Sequence, residues 1–92
     1  MKKHYNITVT GKVQGVGFRY NTMYSAKKMK ITGFVKNQTN GSVYIEAEAE
    51  QEVLDQFIEH CKTGPSSANV RKVTFSESNL VNFKSFEIRY YS

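Results

Sequence analysis

Apolar and polar side chains alternate at the start of the chain. Tyr5, Ile7 and Val9 fall on one face of this stretch, with polar residues between them. A period of two residues predicts a half-buried strand, here over His4–Thr10. Similar alternation later in the chain predicts further strands in ITGFVKNQ, SVYIEAEAE, VRKVTF and FKSFEIRYY.

Two stretches between these strands show helical spacing instead. From Phe18 to Met29, apolar or small residues recur every three or four positions, and a cluster of lysines takes the opposite side. The second stretch carries an apolar stripe formed by Leu54, Phe57, Ile58 and Cys61. We expect that helix to end before Gly64-Pro65, because a proline ring cannot continue a helix. Asn40-Gly41 predicts a tight hairpin turn between the second and third strands.

The order of elements is therefore β-α-β-β-α-β, with room for a short extra strand near the end. We expect one domain over residues 1–92 with a ferredoxin-like α+β fold. In that fold an antiparallel sheet of four or five strands carries both helices on one face. The fold hosts many functions, so the function has to be argued from a site.

The chain is basic, with 13 Lys and Arg residues against eight Asp and Glu and a formal charge of +5. This balance favours anionic partners such as nucleic acid, acidic membranes or phosphorylated small molecules, although it also serves solubility alone. No apolar run approaches the ~18 residues of a membrane span, and the N-terminus lacks the apolar segment of a signal peptide. Cys61 is the only cysteine, so an internal disulfide is excluded and a reducing, cytoplasmic location is expected.

The stretch GKVQGVGFR, Gly11–Arg19, separates the first strand from the first helix. Backbone N–H groups of a glycine-rich turn can converge without side chains in the way, and a helix N-terminus adds unpaired donors and partial positive charge. Arg19 then supplies a planar, permanently charged fork that matches phosphate oxygens. The stretch therefore indicates a phosphate cradle closed by an arginine, with a purely structural tight turn as the alternative.

Two familiar phosphate-binding motifs do not match this loop. The Walker A motif needs a Lys-Ser or Lys-Thr pair after its last glycine, where this chain has Phe18-Arg19. The dinucleotide motif needs a third glycine where this chain has Tyr20, and it also needs a βαβ unit in a parallel sheet.

The stretch VTGKVQGVGFRYNTMYSAKKMKITGFVKNQTNGSVYIEAEAE closely resembles the acylphosphatase family. Gly11–Arg19 is similar to the signature loop of that family, and Gly33–Asn37 followed by Asn40–Val43 is similar to its second signature. Further similarities cover Gly64-Pro65, the Ala68-x-Val70-x-x-Val73 spacing and Phe86–Tyr90. The family usually has tryptophan at Phe34, often aspartate at Asn40 and commonly glycine at Ala49, differences that concern local packing and turn details.

This resemblance implies an enzyme that hydrolyses an acyl phosphate to a carboxylate and inorganic phosphate. By the same resemblance, the phosphate is bound by Gln14, Gly15, Val16, Gly17, Phe18 and Arg19. Arg19 would clamp the phosphate, and Asn37 would hold the attacking water. The implied partners are a small acyl phosphate and inorganic phosphate.

That reaction does not need a titratable side chain as a general acid. The leaving carboxylate has a conjugate acid with a pKa of about 4, by analogy with Asp and Glu, so it departs without being protonated. Transfer of a phosphoryl group depends mainly on positioning and electrostatics, which loop N–H groups and Arg19 can supply. No Asp, Glu, His or Cys cluster has convincing metal-ligand spacing, so we expect no metal and no other cofactor. We also expect a monomer that binds neither nucleic acid nor membrane.

Other residues with chemical potential have simpler interpretations. We expect His4 and His60 to be surface or partly buried residues, and Cys61 to be a core thiol. Met23 and Met29 are interpreted as packing residues. The aromatic residues interpreted as core are Phe57, Phe75 and Phe86.

The alternative function is a non-catalytic ferredoxin-like module that binds an anion or RNA. The element order and basic charge resemble an RNA-recognition motif, which stacks bases on exposed aromatics of its central strands. Here the polar face of the third strand offers three carboxylates, Glu46, Glu48 and Glu50, which would repel a phosphate backbone. The sequence therefore favours the hydrolase over this alternative.

Overall fold

Five strands and two helices make up the computed structural model, which describes residues 1–90. In chain order they are β1 (Lys2–Lys12), α1 (Phe18–Lys28), β2 (Thr32–Asn37), β3 (Val43–Glu50), α2 (Gln51–Thr63), β4 (Asn69–Ser78) and β5 (Phe86–Arg89). The strands form one sheet in the order β4-β1-β3-β2-β5. The predicted ferredoxin-like α+β class is confirmed. Tyr91, predicted to belong to the last strand, lies outside the described residues.

The core lies between the sheet and the two helices, which pack on one face. On β1, Ile7 and Val9 are fully buried, and Ile7 lies opposite Ile45 of β3. The helices cover this face with two buried sets, Phe18, Thr22 and Ala26 from α1 and Leu54, Phe57, Ile58 and Cys61 from α2. Burying an aliphatic or aromatic side chain of this size stabilises a fold by about 1.5–3 kcal/mol, so helix packing is a major source of stability.

The aromatic residues predicted to form the core divide into two groups. Phe57 and Phe86 are buried, and their rings meet edge to face at 6.4 Å between centroids. Phe75 is 52% exposed, so its predicted core position is wrong. It belongs to the edge strand β4, where Tyr5 stacks on its ring at 4.7 Å and leaves the other side uncovered.

The predictions for Cys61, Met23 and Met29 as core or packing residues, and for His60 as a surface or partly buried residue, are confirmed. Cys61 is buried, and burial raises the pKa of its thiol to about 12, so it stays protonated at neutral pH. His60 is partly buried, with Nε2 lying 2.7 Å from the Oγ of Ser25. Met23 and Met29 are partly buried against the core.

The sheet is mixed, which corrects the expectation of a wholly antiparallel one. β5 pairs with β2 in parallel, with Val35 opposite Ile88. The cause is the path of the chain, because β4 and β5 occupy opposite edges of the sheet. Residues 79–85 join them by crossing the sheet at the end where β4 finishes. The chain then runs back along the opposite edge in the direction opposite to β4. This direction is that of β2, so β5 and β2 are parallel.

His4 lies under this crossing segment, which we call the strap (residues 79–85). Its ring is only 1% exposed, so the expectation of a surface or partly buried histidine is wrong. Nδ1 lies 2.9 Å from the Oε2 of Glu48, and Nε2 lies 2.9 Å from the Oε1 of Glu46. Each ring nitrogen of this buried side chain therefore has a carboxylate oxygen within hydrogen-bond distance.

Glu48 anchors the strap to the sheet. Its buried carboxylate accepts hydrogen bonds from the backbone N–H groups of Val81, Asn82 and Phe83. Burial opposes ionisation, but the N–H groups of Val81 and Phe83 and the contact with His4 outweigh it. They hold the pKa of Glu48 below its usual value.

This lowered pKa predicts how stability depends on acid. The ionised form of Glu48 is favoured in the folded state, so its contribution is present above about pH 4.3, the usual pKa of glutamate, and is lost as the pH falls through the lower folded value. We expect Glu48→Gln to reduce the free energy of unfolding at pH 7 by roughly 2–3 kcal/mol. The difference from the wild type should narrow below about pH 4.

Urea denaturation of both proteins at several pH values between neutrality and pH 3 measures this difference. Glu50→Gln is the matched control, because Glu50 is an exposed carboxylate on the same strand whose partner is the N-terminal amine. It should cost far less stability than Glu48→Gln. If Glu48→Gln lowers the free energy of unfolding by the same amount at every pH, the lost stability does not come from ionisation of the Glu48 carboxylate.

Candidate active site

The loop between β1 and α1 is held at both ends by buried side chains. Val13 is 1% exposed and Phe18 is 2% exposed, so both are set in the core. Gly15 and Gly17 lie on the exposed bend between them, with φ values of +73° and +77°. Side chains rarely adopt this left-handed backbone region, so the two glycines allow the loop to bend where a longer residue would be strained.

The helix that follows the loop begins without compensation of its positive end. Gly17 is its N-cap and offers no side chain to accept from the first N–H groups. The first turn of α1 contains no acidic residue. These N–H groups and the positive end of the helix dipole therefore favour a negatively charged ligand.

Arg19 projects from this first turn and is supported by an aromatic ring. Its Cζ lies 5.0 Å from the centroid of the Tyr90 ring, and Arg19 itself is only partly exposed. The Tyr90 hydroxyl lies 3.3 Å from that of Tyr20 on the same helix turn as Arg19. Stacking on a ring leaves the N–H groups in the guanidinium plane directed outward, as bidentate binding of an oxyanion requires.

Gln14 ties the loop to the turn between β2 and β3. Its Nε2 donates to the carbonyl oxygens of Gln38, at 2.7 Å, and Ser42, at 2.9 Å. Gln14 is predicted to bind substrate, and its side-chain amide forms a structural connection. A contribution of Gln14 to a ligand would come from its backbone N–H.

Asn37 lies next to this connection, at the end of β2. It pairs with Val43 across the hairpin and directly precedes Gln38, which accepts from Gln14. Its Oδ1 is buried and has no hydrogen-bond partner among the described residues. A buried amide oxygen without a partner costs about 1–3 kcal/mol, so this position is a candidate for binding a water or ligand donor.

The structure thus brings the predicted site residues to one end of the sheet. Gln14 joins the start of the loop to the β2–β3 turn, and Arg19 lies at the other end of the same loop. The sequence reasoning missed Tyr20 and Tyr90 as supports of Arg19. Tyr20 directly follows Arg19 in the sequence, whereas the contact with Tyr90 depends on the position of β5.

Three further findings concern the described residues. An open pocket of about 370 Å³, lined by Thr10, Gly11, Asn40, Gly41, Ser42 and Arg71, contains none of the predicted phosphate-binding residues. Within residues 1–90, no group of three or more His, Cys, Asp or Glu side chains is arranged to hold a metal ion. In the same range, neither helix has the length and apolar character needed to cross a membrane.

Comparison with known proteins gives a consistent result. The family model for acylphosphatase matches residues 5–88. An acylphosphatase from Archaeoglobus fulgidus is 46% identical over 84 residues, which are 91% of this chain and 94% of that protein. An acylphosphatase from Pediococcus pentosaceus is 44% identical over 89 residues, which are 96% of this chain and 99% of that protein.

Solved structures agree with the sequence comparison. The crystal structure of acylphosphatase from Bacillus subtilis matches with a TM-score of 0.93 at 41% identity, covering 98% of this chain and 100% of that one. An acylphosphatase from Coxiella burnetii matches with a TM-score of 0.92 at 33% identity, covering 96% of this chain and 93% of that one. With the family model matching nearly its whole length, the chain belongs to the acylphosphatase family.

Proposed function

We propose that this protein hydrolyses acyl phosphates by attack of water on a phosphoryl group bound by residues 14–19. The observation that carries the proposal is the loop itself. Gly15 and Gly17 bend it in left-handed conformations at the uncapped N-terminus of α1, and Arg19 follows in the first helical turn. Converging N–H donors and a guanidinium match the three equatorial oxygens of a phosphoryl group in transfer.

The reaction breaks the bond between phosphorus and the bridging oxygen. Water supplies the new oxygen on phosphorus, and the acyl group leaves as a carboxylate. Because that carboxylate is a weak base, no side chain has to protonate it. The proton of the attacking water can pass to a phosphate oxygen, so a dedicated general base is not required when the transition state is loose.

Asn37 is proposed to orient the attacking water. Its buried Oδ1 can accept a hydrogen bond from that water, and an amide does so without titrating. The hydrogen bonds from Gln14 to the following turn support this role, because they keep the end of β2 beside the loop.

The RNA-binding alternative is not favoured. The polar face of the sheet, which would have to carry stacked bases, is crossed by the strap. Glu46 and Glu48 on that face are engaged with His4 and would repel a nucleic-acid backbone. A catalytically silent anion binder is distinguished from the hydrolase by turnover alone.

The first experiment is a turnover assay with acetyl phosphate in the presence of a metal chelator. We expect hydrolysis at a rate unaffected by the chelator, since the proposed mechanism uses loop N–H groups, Arg19 and Asn37. A simple phosphate monoester should be a poor substrate, because an alkoxide leaves badly without an acid. Chelator-sensitive turnover would refute the metal-free mechanism, and absence of turnover would leave only the binder.

The monomeric state and the cytoplasmic location expected from the sequence stay predictions. Both are part of the proposal, in which a small enzyme acts on a small phosphorylated substrate. Sedimentation analysis at several concentrations tests the monomer directly.

A further inference from the structure

We infer that Glu48 positions Arg19 from the opposite face of the sheet, through the strap, β5 and Tyr90. Glu48 is a positioning residue in this proposal and touches no reacting atom. The inference takes from the proposed function only that Arg19 clamps the phosphate.

The first step is the hold of Glu48 on the strap. Three consecutive backbone N–H groups, of Val81, Asn82 and Phe83, converge on its carboxylate. Convergence requires an unusual backbone, and Asn82 has a φ of +66°. Successive N–H groups directed at one anion by a left-handed residue form a concave anion site, here filled by the protein's own glutamate.

The second step is the network of polar contacts around Glu48. His4 faces both Glu48 and Glu46 at 2.9 Å, and Tyr44 donates from its hydroxyl to the other oxygen of Glu46 at 2.8 Å. The ring of Phe83 packs on His4 with 5.6 Å between centroids. The strap is thus fixed by a buried network that is complete only with a carboxylate at position 48.

The third step leads from the strap to the arginine. The strap ends at Ser85, whose carbonyl accepts from the N–H of Gly33, and β5 starts at the next residue. β5 has four residues and lies at the edge of the sheet. Tyr90 directly follows it, stacks on Arg19 and lies within hydrogen-bond distance of Tyr20. The position of Tyr90 therefore depends on where the strap delivers the chain.

The size of the effect is limited by a second anchor. Phe86, the first residue of β5, is 3% exposed and packs on Phe57 in the core. Release of the strap should therefore loosen β5 and Tyr90 without detaching them. Couplings carried through packed elements in this way typically change affinity by a few-fold to about thirty-fold.

The test is a double-mutant cycle with Glu48→Gln and Tyr90→Leu. Isothermal titration with inorganic phosphate and steady-state kinetics with acetyl phosphate measure Kd, KM and kcat. We expect each single variant to raise Kd and KM by roughly three- to ten-fold, with a smaller change in kcat. The double variant should lose no more phosphate affinity than the single variant with the larger loss, because both changes remove the same support. A merely destabilised protein would show independent losses that multiply.

Two controls separate this effect from charge and from folding. Glu50→Gln makes the same chemical change on the same strand without touching the strap, and it should bind phosphate like the wild type. Phe83→Ala loosens the strap while leaving the buried Glu48 in place. It should weaken phosphate binding as Glu48→Gln does, and it carries the test if Glu48→Gln does not fold.

An NMR measurement keeps the inference independent of catalysis. The Nε–H proton of Arg19 should be shifted by the Tyr90 ring in the wild type, and Glu48→Gln and Phe83→Ala should reduce that shift. If the wild type fails to hydrolyse acetyl phosphate, the proposed function fails while this shift still decides the inference. Wild-type phosphate affinity and an unchanged Arg19 signal in both variants, or losses that multiply in the cycle, would overturn it.

Discussion

Replacement of Arg19 by lysine is expected to remove most of the acyl phosphate hydrolysis, although the positive charge is kept. An ammonium group is a point charge on a flexible stem and cannot form the planar two-point contact of a guanidinium. It also stacks less well on Tyr90, which lies 5.0 Å from the arginine in this structure. Loss of one preorganised group that stabilises transition-state charge typically costs 10²- to 10³-fold in rate, so we expect kcat/KM to fall by about this factor.

The measurement is steady-state hydrolysis of acetyl phosphate together with phosphate titration. Phosphate binding should weaken in parallel with turnover, because the clamp acts on substrate and product alike. Arg71→Lys is the matched control, since Arg71 is an exposed arginine on β4 and lines a pocket that contains none of residues 14–19. Hydrolysis by Arg19→Lys at the wild-type rate would contradict the hypothesis that the Arg19 guanidinium clamps the phosphate.

Asn37→Ala is expected to separate catalysis from binding. Its proposed task is to orient water, so kcat should fall by about 10²-fold or more while phosphate binds with similar affinity. The fold should be little affected, because the Oδ1 atom that is removed has no hydrogen-bond partner among the described residues. We expect the free energy of unfolding to stay within about 1 kcal/mol of the wild type.

Turnover, phosphate titration and circular dichroism on the same preparation test this separation. Asn69→Ala is a suitable control, because Asn69 is an exposed asparagine at the start of β4. Equal losses of rate and phosphate affinity in Asn37→Ala would assign Asn37 to phosphate binding. A folded variant with normal turnover would leave Asn37 as a turn residue only.

Much of the candidate site follows from local patterns in the chain. The glycines of the loop, the start of α1 and the position of Arg19 are set by neighbouring residues, and the structure has them where the sequence predicts. The role of the Gln14 side chain could not be predicted in this way. Its two hydrogen bonds go to Gln38 and Ser42, more than twenty positions away in the chain, and no local pattern encodes that distance.

The burial of His4 could not be predicted from local sequence patterns either. Alternation correctly places it on the face of β1 opposite Ile7, and that face is polar along β3 as well. Polar faces are usually solvated, so exposure was the natural expectation. The structure buries His4 because a segment 75 or more residues later crosses this face. The carboxylates of Glu46 and Glu48 lie within hydrogen-bond distance of both ring nitrogens, which offsets the cost of burying them.

The sequence by itself determined the order of strands and helices, the apolar faces of β1, β3 and α2, and the loop that opens α1. These depend on side-chain periodicity and backbone preference, which act within a few residues. Only the tertiary structure decided that β5 runs parallel to β2, that the strap closes over His4 and that Tyr90 stacks on Arg19. The reason is that an edge strand has few local constraints. Its neighbour, direction and contacts are selected by the free energy of packing the whole chain, which includes the contacts of Glu48 with the strap and of Phe86 with Phe57.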